Sequence, residues 1–213
     1  MTLKSAPESS HDFYHLQQPD LNGMACRGLA CFAARADRPQ RWQRAQSAAT
    51  SLYCLGQCYC APAIAGEGPP PAITAQSRHA VLLGDVLAAP LRDLAAYQQA
   101  GGGQALRMAL VSGSAFVIEQ IAASGLRGRG GAGFAAAKKW AAVAAAGGAQ
   151  KYVVANADEG DPGGFSDKVL LEQNPFLLIE AMLIAGIAVG ASKGYIYLRR
   201  EYPAAGAILR QAI

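Results

Sequence analysis

Three groups of residues have the types and the spacing to do chemistry. The first is a glycine loop, Ser124–Trp140, reading SGLRGRGGAGFAAAKKW. Five of the nine residues from 125 to 133 are glycine. That density lets a backbone approach a ligand closely and offers it several N–H donors. A helix opens directly after the loop, so the donors and the helix dipole suit an anionic or electron-rich group. Arg127, Arg129, Lys138 and Lys139 add positive charge, and Phe134 offers one aromatic face to a planar ring. Gly128, Gly130 and Gly133 satisfy G-x-G-x-x-G. The dinucleotide reading of that pattern needs a strand just before it. Ala115–Ala123 reads as helix, so a standard Rossmann turn is not expected. The bland alternative is a glycine-rich connector in an alanine-rich protein.

The second group is the acidic loop 156–167, NADEGDPGGFSD, which follows the strand-like run Lys151–Ala155. The carboxyl end of a strand is where ligands of α/β sheets gather. Asn156 can donate and accept at the polar edge of a flavin or nicotinamide. Asp158, Glu159 and Asp161 can accept from hydroxyls or amides, and Pro162–Gly164 supplies a turn. A divalent-cation loop is the weaker reading, because the twelve-residue EF-hand pattern is missing; a solvated turn is the other.

The third group is Cys26-x4-Cys31 with Cys54-x3-Cys58. Four thiolates on two loops can hold one [2Fe–2S] cluster, two per iron. Zinc, or a module without metal, remain alternatives. For convergence, the loops after strands Asn22–Ala25 and Ser51–Tyr53 must lie side by side, joined by a crossover helix Pro39–Ala49. Trp42, Ala45 and Ala49 would share that helix's packing face. Cys60 is a fifth thiol, expected to point away from the other four. The odd cysteine count without a secretory signal indicates a reducing, cytoplasmic setting in which clustered thiols bind metal. His11, His15 and His79 are scattered and receive no role. Trp42 and Trp140 are read as packing residues.

The elements that position these groups fall into zones. Residues 1–20 are polar and loose. Residues 21–85 carry all the cysteines, with strand-like runs at Ser51–Cys54, Ala72–Ala75 and Ala80–Leu83 and an irregular GEGPPP loop at 66–71. Residues 86–213 alternate helix and strand. Helices are expected over Leu91–Gln99, Ala105–Leu110, Ala115–Ala123, Ala135–Ala146, Pro175–Ala191 and Tyr202–Ile213; Lys151–Ala155 reads as a buried strand and Tyr195–Leu198 as another. That alternation indicates an α/β class. Of the 213 residues, 52% are hydrophobic and 16% charged, which suits a folded core and not a disordered tail. A net charge of +4 without a basic run gives no case for nucleic acid. Pro175–Ala191 has the length of a short membrane span, but Glu180 in its middle argues for a buried helix and against membrane insertion.

The words LRGRGGAGF, NADEGDPG, EQNPFLLIEAM and GYIYLRREYPAA occur in this order between about Gly102 and Ile213. They closely resemble the flavoprotein subunit of respiratory complex I and the homologous diaphorase subunits of NAD-linked hydrogenases and formate dehydrogenases. The resemblance implies FMN held by Gly128, Arg129, Gly130, Lys139, Asn156, Asp158 and Glu159. It implies NADH or NAD+ bound by Gly131, Phe134 and Asp161. Asp161, where complex I usually has Glu, is similar to the hydrogenase and formate dehydrogenase branches, and Phe176 in NPF is similar to the formate dehydrogenases. Ala135–Ala137 replaces the family's Pro-Thr-Gly. YCLGQCYCAP resembles thioredoxin-like [2Fe–2S] ferredoxins, implying a small N-terminal module of that type with Cys26, Cys31, Cys54 and Cys58 as ligands, although only 22 residues separate Cys31 from Cys54. Partners would be the other subunits of a multisubunit oxidoreductase: hydrogenase, formate dehydrogenase or complex I. The family's second glycine segment and its [4Fe–4S] motif would lie beyond Ile213, so the chain is expected to be a fragment holding the first part of the FMN-binding domain.

Overall fold

The computed structural model describes residues 21–68, 81–84 and 89–213. The polar N-terminus, the three histidines and the run Ala72–Ala75 lie outside those residues. Val81–Leu83, the described part of the strand-like run Ala80–Leu83, lies in a turn, with Val81 exposed. The chain forms two compact units. Of the described residues, one comprises 21–68, 159–168 and 199–203; the other comprises 81–84, 89–158, 169–198 and 204–213.

In the first unit, β1 (Ala25–Cys26) and β2 (Ser51–Leu52) pair in parallel, Ala25 opposite Ser51 and Cys26 opposite Leu52. The crossover contains α1 (Leu29–Ala33) and α2 (Pro39–Gln46). Pro39 starts α2 where its missing N–H costs nothing. Ala45 of α2 packs on Ala25 and Ile64, and Trp42 meets the Phe32 ring edge-on at 6.0 Å. Ala48, beyond the end of α2, takes the packing place expected of Ala49, which is exposed. On the other side of β1 the chain returns antiparallel: Cys26 N donates to Ala63 O and Ala65 N to Met24 O. The core here is small, built from Met24, Leu52, Leu55, Ala61, Ala63 and three of the cysteines.

In the second unit, α3 (Leu94–Gln99) precedes α4 (Gln104–Ala123). α4 breaks at Gly113, whose φ of 78° leaves the helical region, as the two separate helical runs in the sequence require. By length and hydropathy alone α4 would be long enough to cross a membrane. Next come α5 (Ala136–Ala145), β3 (Tyr152–Ala157), α6 (Ser166–Gln173), α7 (Pro175–Val189), β4 (Lys193–Leu198) and α8 (Pro203–Ala212). β3 and β4 are parallel, with Tyr152 opposite Lys193 and Ala157 opposite Leu198.

α7 joins α4 and one face of β3 in a shared core: Ala109, Val117, Ala188 and Val189, with Trp140, Val153 and Ile184 packed around them. The opposite face of the two strands carries Tyr152, Val154, Tyr195 and Tyr197, all exposed. β3 is therefore covered on one face only, which corrects the reading of Lys151–Ala155 as a buried strand. Glu180 explains why a carboxylate sits mid-helix. It is buried and accepts from Tyr97 Oη at 2.5 Å, Gly103 N at 2.7 Å and Leu106 N at 2.9 Å, the last two from the first turn of α4. Burial opposes its ionisation, but these donors outweigh burial and pull its pKa down.

Candidate functional site

The glycine loop leaves the end of α4 through Gly125 at φ 66° and leads into α5. Three hydrogen bonds close its neck: Gly128 N to Phe134 O at 2.8 Å, Ala136 N to Leu126 O at 2.9 Å, and Arg127 Nη1 to Gly133 O at 2.9 Å. A helix and no strand precedes it, so the loop is not a Rossmann turn. Gly131 and Gly133 have φ values of 110° and 59°, so their backbone alone accounts for glycine. Gly130 has no positive φ, and a Cβ built on it would meet nothing within 4 Å. Nothing in this chain's own packing requires glycine there. Ala135 caps α5 without a side-chain acceptor, leaving the helix N-terminus to another partner. Lys139 Nζ stands 5.9 Å from the centroid of the half-exposed Phe134 ring, and Arg129 is exposed.

The acidic loop starts two residues later than its sequence suggests. Asn156 and Ala157 belong to β3, because they pair with Tyr197 and Leu198 of β4. Asn156 Oδ1 accepts from Asp158 N at 3.1 Å, and both residues are exposed. Glu159 differs from its neighbours, since its two carboxylate oxygens are engaged inside the first unit. Oε1 accepts from Ser166 Oγ at 2.9 Å and Asp167 N at 3.0 Å; Oε2 accepts from Lys168 N and Tyr202 Oη, each at 3.1 Å. It therefore caps α6 and anchors the loop. Burial works against its charge, yet the donors prevail and its pKa falls. Asp167 next to it is pushed up, by burial first and by Glu159 second. Asp161 is exposed; its carbonyl accepts from Gly164 N at 2.9 Å, and Gly163 takes a positive φ of 89°.

Parallel pairing of β1 and β2 puts the loops that follow them at the same end of the two strands. Cys26 ends β1, Cys31 lies in α1, Cys54 follows β2 by two residues, and Cys58 opens a 3-10 turn, Cys58–Cys60. Cys26 Sγ donates to Tyr53 O at 3.8 Å, and the Cys26 thiol interacts with those of Cys31 and Cys54. The interaction with Cys31 raises the Cys26 pKa and lowers that of Cys31, while Cys54 is raised chiefly by its interaction with Cys26. N–H groups also point at the sulfurs: Gly28 N to Cys26 at 3.4 Å, Ala63 N to Cys31 at 3.3 Å, Gly56 N to Cys54 at 3.3 Å. Such N–H···S bonds surround thiolates in iron–sulfur sites. Among the described residues no three or more Cys, His, Asp or Glu side chains are posed around one metal ion. Cys60 turns its thiol to Gln57 O at 3.3 Å and feels Arg41 and Arg38.

Sequence reasoning missed two residues of this unit. Arg199 donates through Nη2 to Cys54 Sγ at 3.3 Å, and Tyr202, 1% exposed, holds Glu159. Their signal was a basic residue and a tyrosine directly after a strand, read only as parts of the word YLRREYP.

Residues 121–213 match the Nuo51 FMN-binding domain. The match contains every residue expected to touch FMN or NAD, from Gly128 to Asp161. The NADH-quinone oxidoreductase F subunit of Aquifex aeolicus (strain VF5) is 47% identical over 117 residues, 55% of this chain and 27% of that protein. The NADP-reducing hydrogenase subunit HndC of Solidesulfovibrio fructosivorans is 46% identical over 112 residues, covering 53% of this chain and 23% of that one. The NAD-reducing hydrogenase HoxS subunit alpha of Cupriavidus necator is 54% identical over 86 residues, 40% and 14% of the two chains. The chain thus spans about a quarter or less of the length of these relatives. In three dimensions it resembles an NAD+-reducing [NiFe]-hydrogenase in the air-oxidized state, with a TM-score of 0.63 and 25% identity, over 96% of this chain and 42% of that one. That likeness extends over the cysteine-bearing N-terminal part, which lies outside the FMN-binding domain match.

Proposed function

We propose that this chain is the flavin-binding part of an electron-transfer subunit that moves electrons between NADH or NAD+ and iron–sulfur clusters. The observation that carries the reading is Gly130, a glycine without a positive φ and with open space around a built Cβ, inside a loop that opens an uncapped helix. FMN, once bound, supplies the hydride and single-electron chemistry. The chain's own residues bind and orient. Gly128, Arg129 and Gly130 form the cradle, Lys139 and the α5 N-terminus supply positive potential, and Asn156 and Asp158 present free polar groups at the end of β3. Phe134, Gly131 and Asp161 are assigned to the nicotinamide cofactor. Glu159 holds its loop and does not spend its carboxylate on the ligand.

Cys26, Cys31, Cys54 and Cys58 are assigned to a [2Fe–2S] cluster. Support comes from the contacts Cys54–Cys26–Cys31 and from the N–H donors aimed at the sulfurs. The partners are further subunits of a cytoplasmic multisubunit oxidoreductase. The hydrogenase and complex I branches have the named relatives; the formate dehydrogenase branch rests on Asp161 and Phe176 alone. The test is fluorescence titration of the purified intact gene product with FMN, followed by NADH-dependent ferricyanide reduction. FMN quenching with saturable binding, together with NADH oxidation, is expected. A folded protein that binds no flavin would overturn the reading.

A further inference from the structure

Arg199 stands directly after β4, and its side chain is 10% exposed. Each nitrogen of its guanidinium is engaged. Nη2 donates to Cys54 Sγ at 3.3 Å and to Glu201 Oε1 at 3.1 Å. Nε donates to Glu201 Oε2 at 3.3 Å, and Nη1 to the backbone carbonyl of Glu159. The plane lies over Tyr202, 5.0 Å from the ring centroid. A guanidinium held by a bidentate carboxylate, a carbonyl and an aromatic ring has no freedom to leave the sulfur. An Arg needed only to hold the 199–203 turn would be satisfied by Glu201 and Glu159; the contact to Cys54 is additional.

We propose that Arg199 sets the reduction potential of the cluster assigned to Cys26, Cys31, Cys54 and Cys58, through its hydrogen bond to Cys54 Sγ. The inference rests on the cluster reading above. A cluster held by these thiolates would gain one negative charge with each electron taken from the flavin of the proposed function; no bond would break and Arg199 would keep its protons. A fixed donor and a positive charge at a ligand sulfur favour the more negative, reduced state, so they move the potential upward. Glu201 offsets part of that charge. The same cation fixes Glu159, so it also ties a cluster ligand to the acidic loop. Arg199 is thus a positioning and tuning residue and touches no substrate.

The test is a redox titration followed by EPR on the intact subunit, with iron and acid-labile sulfide measured on each sample. Wild type is compared with Arg199→Lys, Arg199→Gln and Glu201→Gln. Arg199→Gln is expected to shift the cluster midpoint to more negative values and Arg199→Lys to shift it less. Glu201→Gln is expected to shift it upward, and the flavin midpoint should stay unchanged in all. Full cluster content with an unmoved midpoint in these variants overturns the inference. If Arg199→Gln loses its iron, Glu201→Gln decides: an upward shift supports the role of Arg199 and no shift overturns it. Absence of iron from wild type overturns the underlying cluster reading, and this inference falls with it.

Discussion

Replacing Glu159 by Gln separates a residue that holds its loop from one that holds a ligand. The amide oxygen can still accept from Ser166 Oγ and Asp167 N, but the NH2 then faces Lys168 N and Tyr202 Oη. The tyrosine hydroxyl can turn to accept. The Lys168 N–H cannot, so one backbone donor loses its acceptor, at a cost of about 1–3 kcal/mol. Loss of the anion at the α6 N-terminus adds about 0.5 kcal/mol. Glu159 is only part-buried, so solvent screening trims both figures, and about 1–2.5 kcal/mol remains. For a chain of this size that is roughly 2–10 °C in Tm.

The pH dependence has a defined sign. The folded Glu159 pKa lies below its unfolded value of about 4.3, so its contribution is present above that value and is lost as pH falls through the folded pKa. Asp167, whose pKa is raised, acts in the opposite sense over the same acid range, and the variant relieves part of that. Thermal unfolding by circular dichroism from pH 3 to 7 should therefore show a lower Tm at neutral pH and a shallower acid limb in Glu159→Gln. An unchanged Tm with loss of FMN would refute the reasoning and return Glu159 to the flavin.

Gly130→Val should fold as wild type does, because a Cβ there meets no protein atom within 4 Å, while the intact subunit loses FMN; absorbance at the flavin band against the Tm checks both. Asp161→Ala should raise KM for the nicotinamide cofactor about tenfold, the loss of one hydrogen bond, with flavin content kept, since only the exposed carboxylate is removed. Gly56→Ala should destabilise the first unit by about 2–4 kcal/mol, read by denaturant unfolding. Its φ is 64°, and a Cβ would stand 2.7 Å from the Glu201 carbonyl oxygen and 2.8 Å from the Tyr202 ring.

What was legible in the sequence was what depends on local pattern. Pro39 with an amphipathic run located α2, the break between two apolar runs located Gly113 in α4, and the missing strand before Gly128 ruled out a Rossmann turn. What was not legible depends on distant partners. α6 begins inside what reads as an acidic loop, because its cap is the side chain of Glu159, seven residues before Ser166, and no Ser/Thr-x-x-Glu box marks it. α1 and the 3-10 turn at Cys58–Cys60 are too short to show a period. β3 read as buried on both faces because Tyr and Val fill its outward positions, and only the packing of α7 shows which face is covered. Arg199 stayed hidden for the same reason: its partner is 145 residues away.

Glycines in this chain are of two kinds, and the difference bears on function. Gly102 and Gly56 are required by the fold, the first because a Cβ would stand 2.2 Å from the Tyr97 ring, the second because backbone and Tyr202 crowd it. Gly130 is required by nothing in the fold, although the same loop spends positive φ on Gly131 and Gly133. The acidic loop divides in the same way. Glu159 is consumed by four internal donors, whereas Asn156, Asp158 and Asp161 leave side-chain polar groups facing outward. Residues whose identity the fold does not explain, at the exit of α4 and at the end of β3, are those that the proposed function assigns to a ligand. Those the fold does explain, Glu159, Tyr202 and Arg199, hold the acidic loop and the Cys54 thiol in one hydrogen-bonded set. A substitution in the first class should change what is bound, and one in the second should change stability or potential before it changes binding.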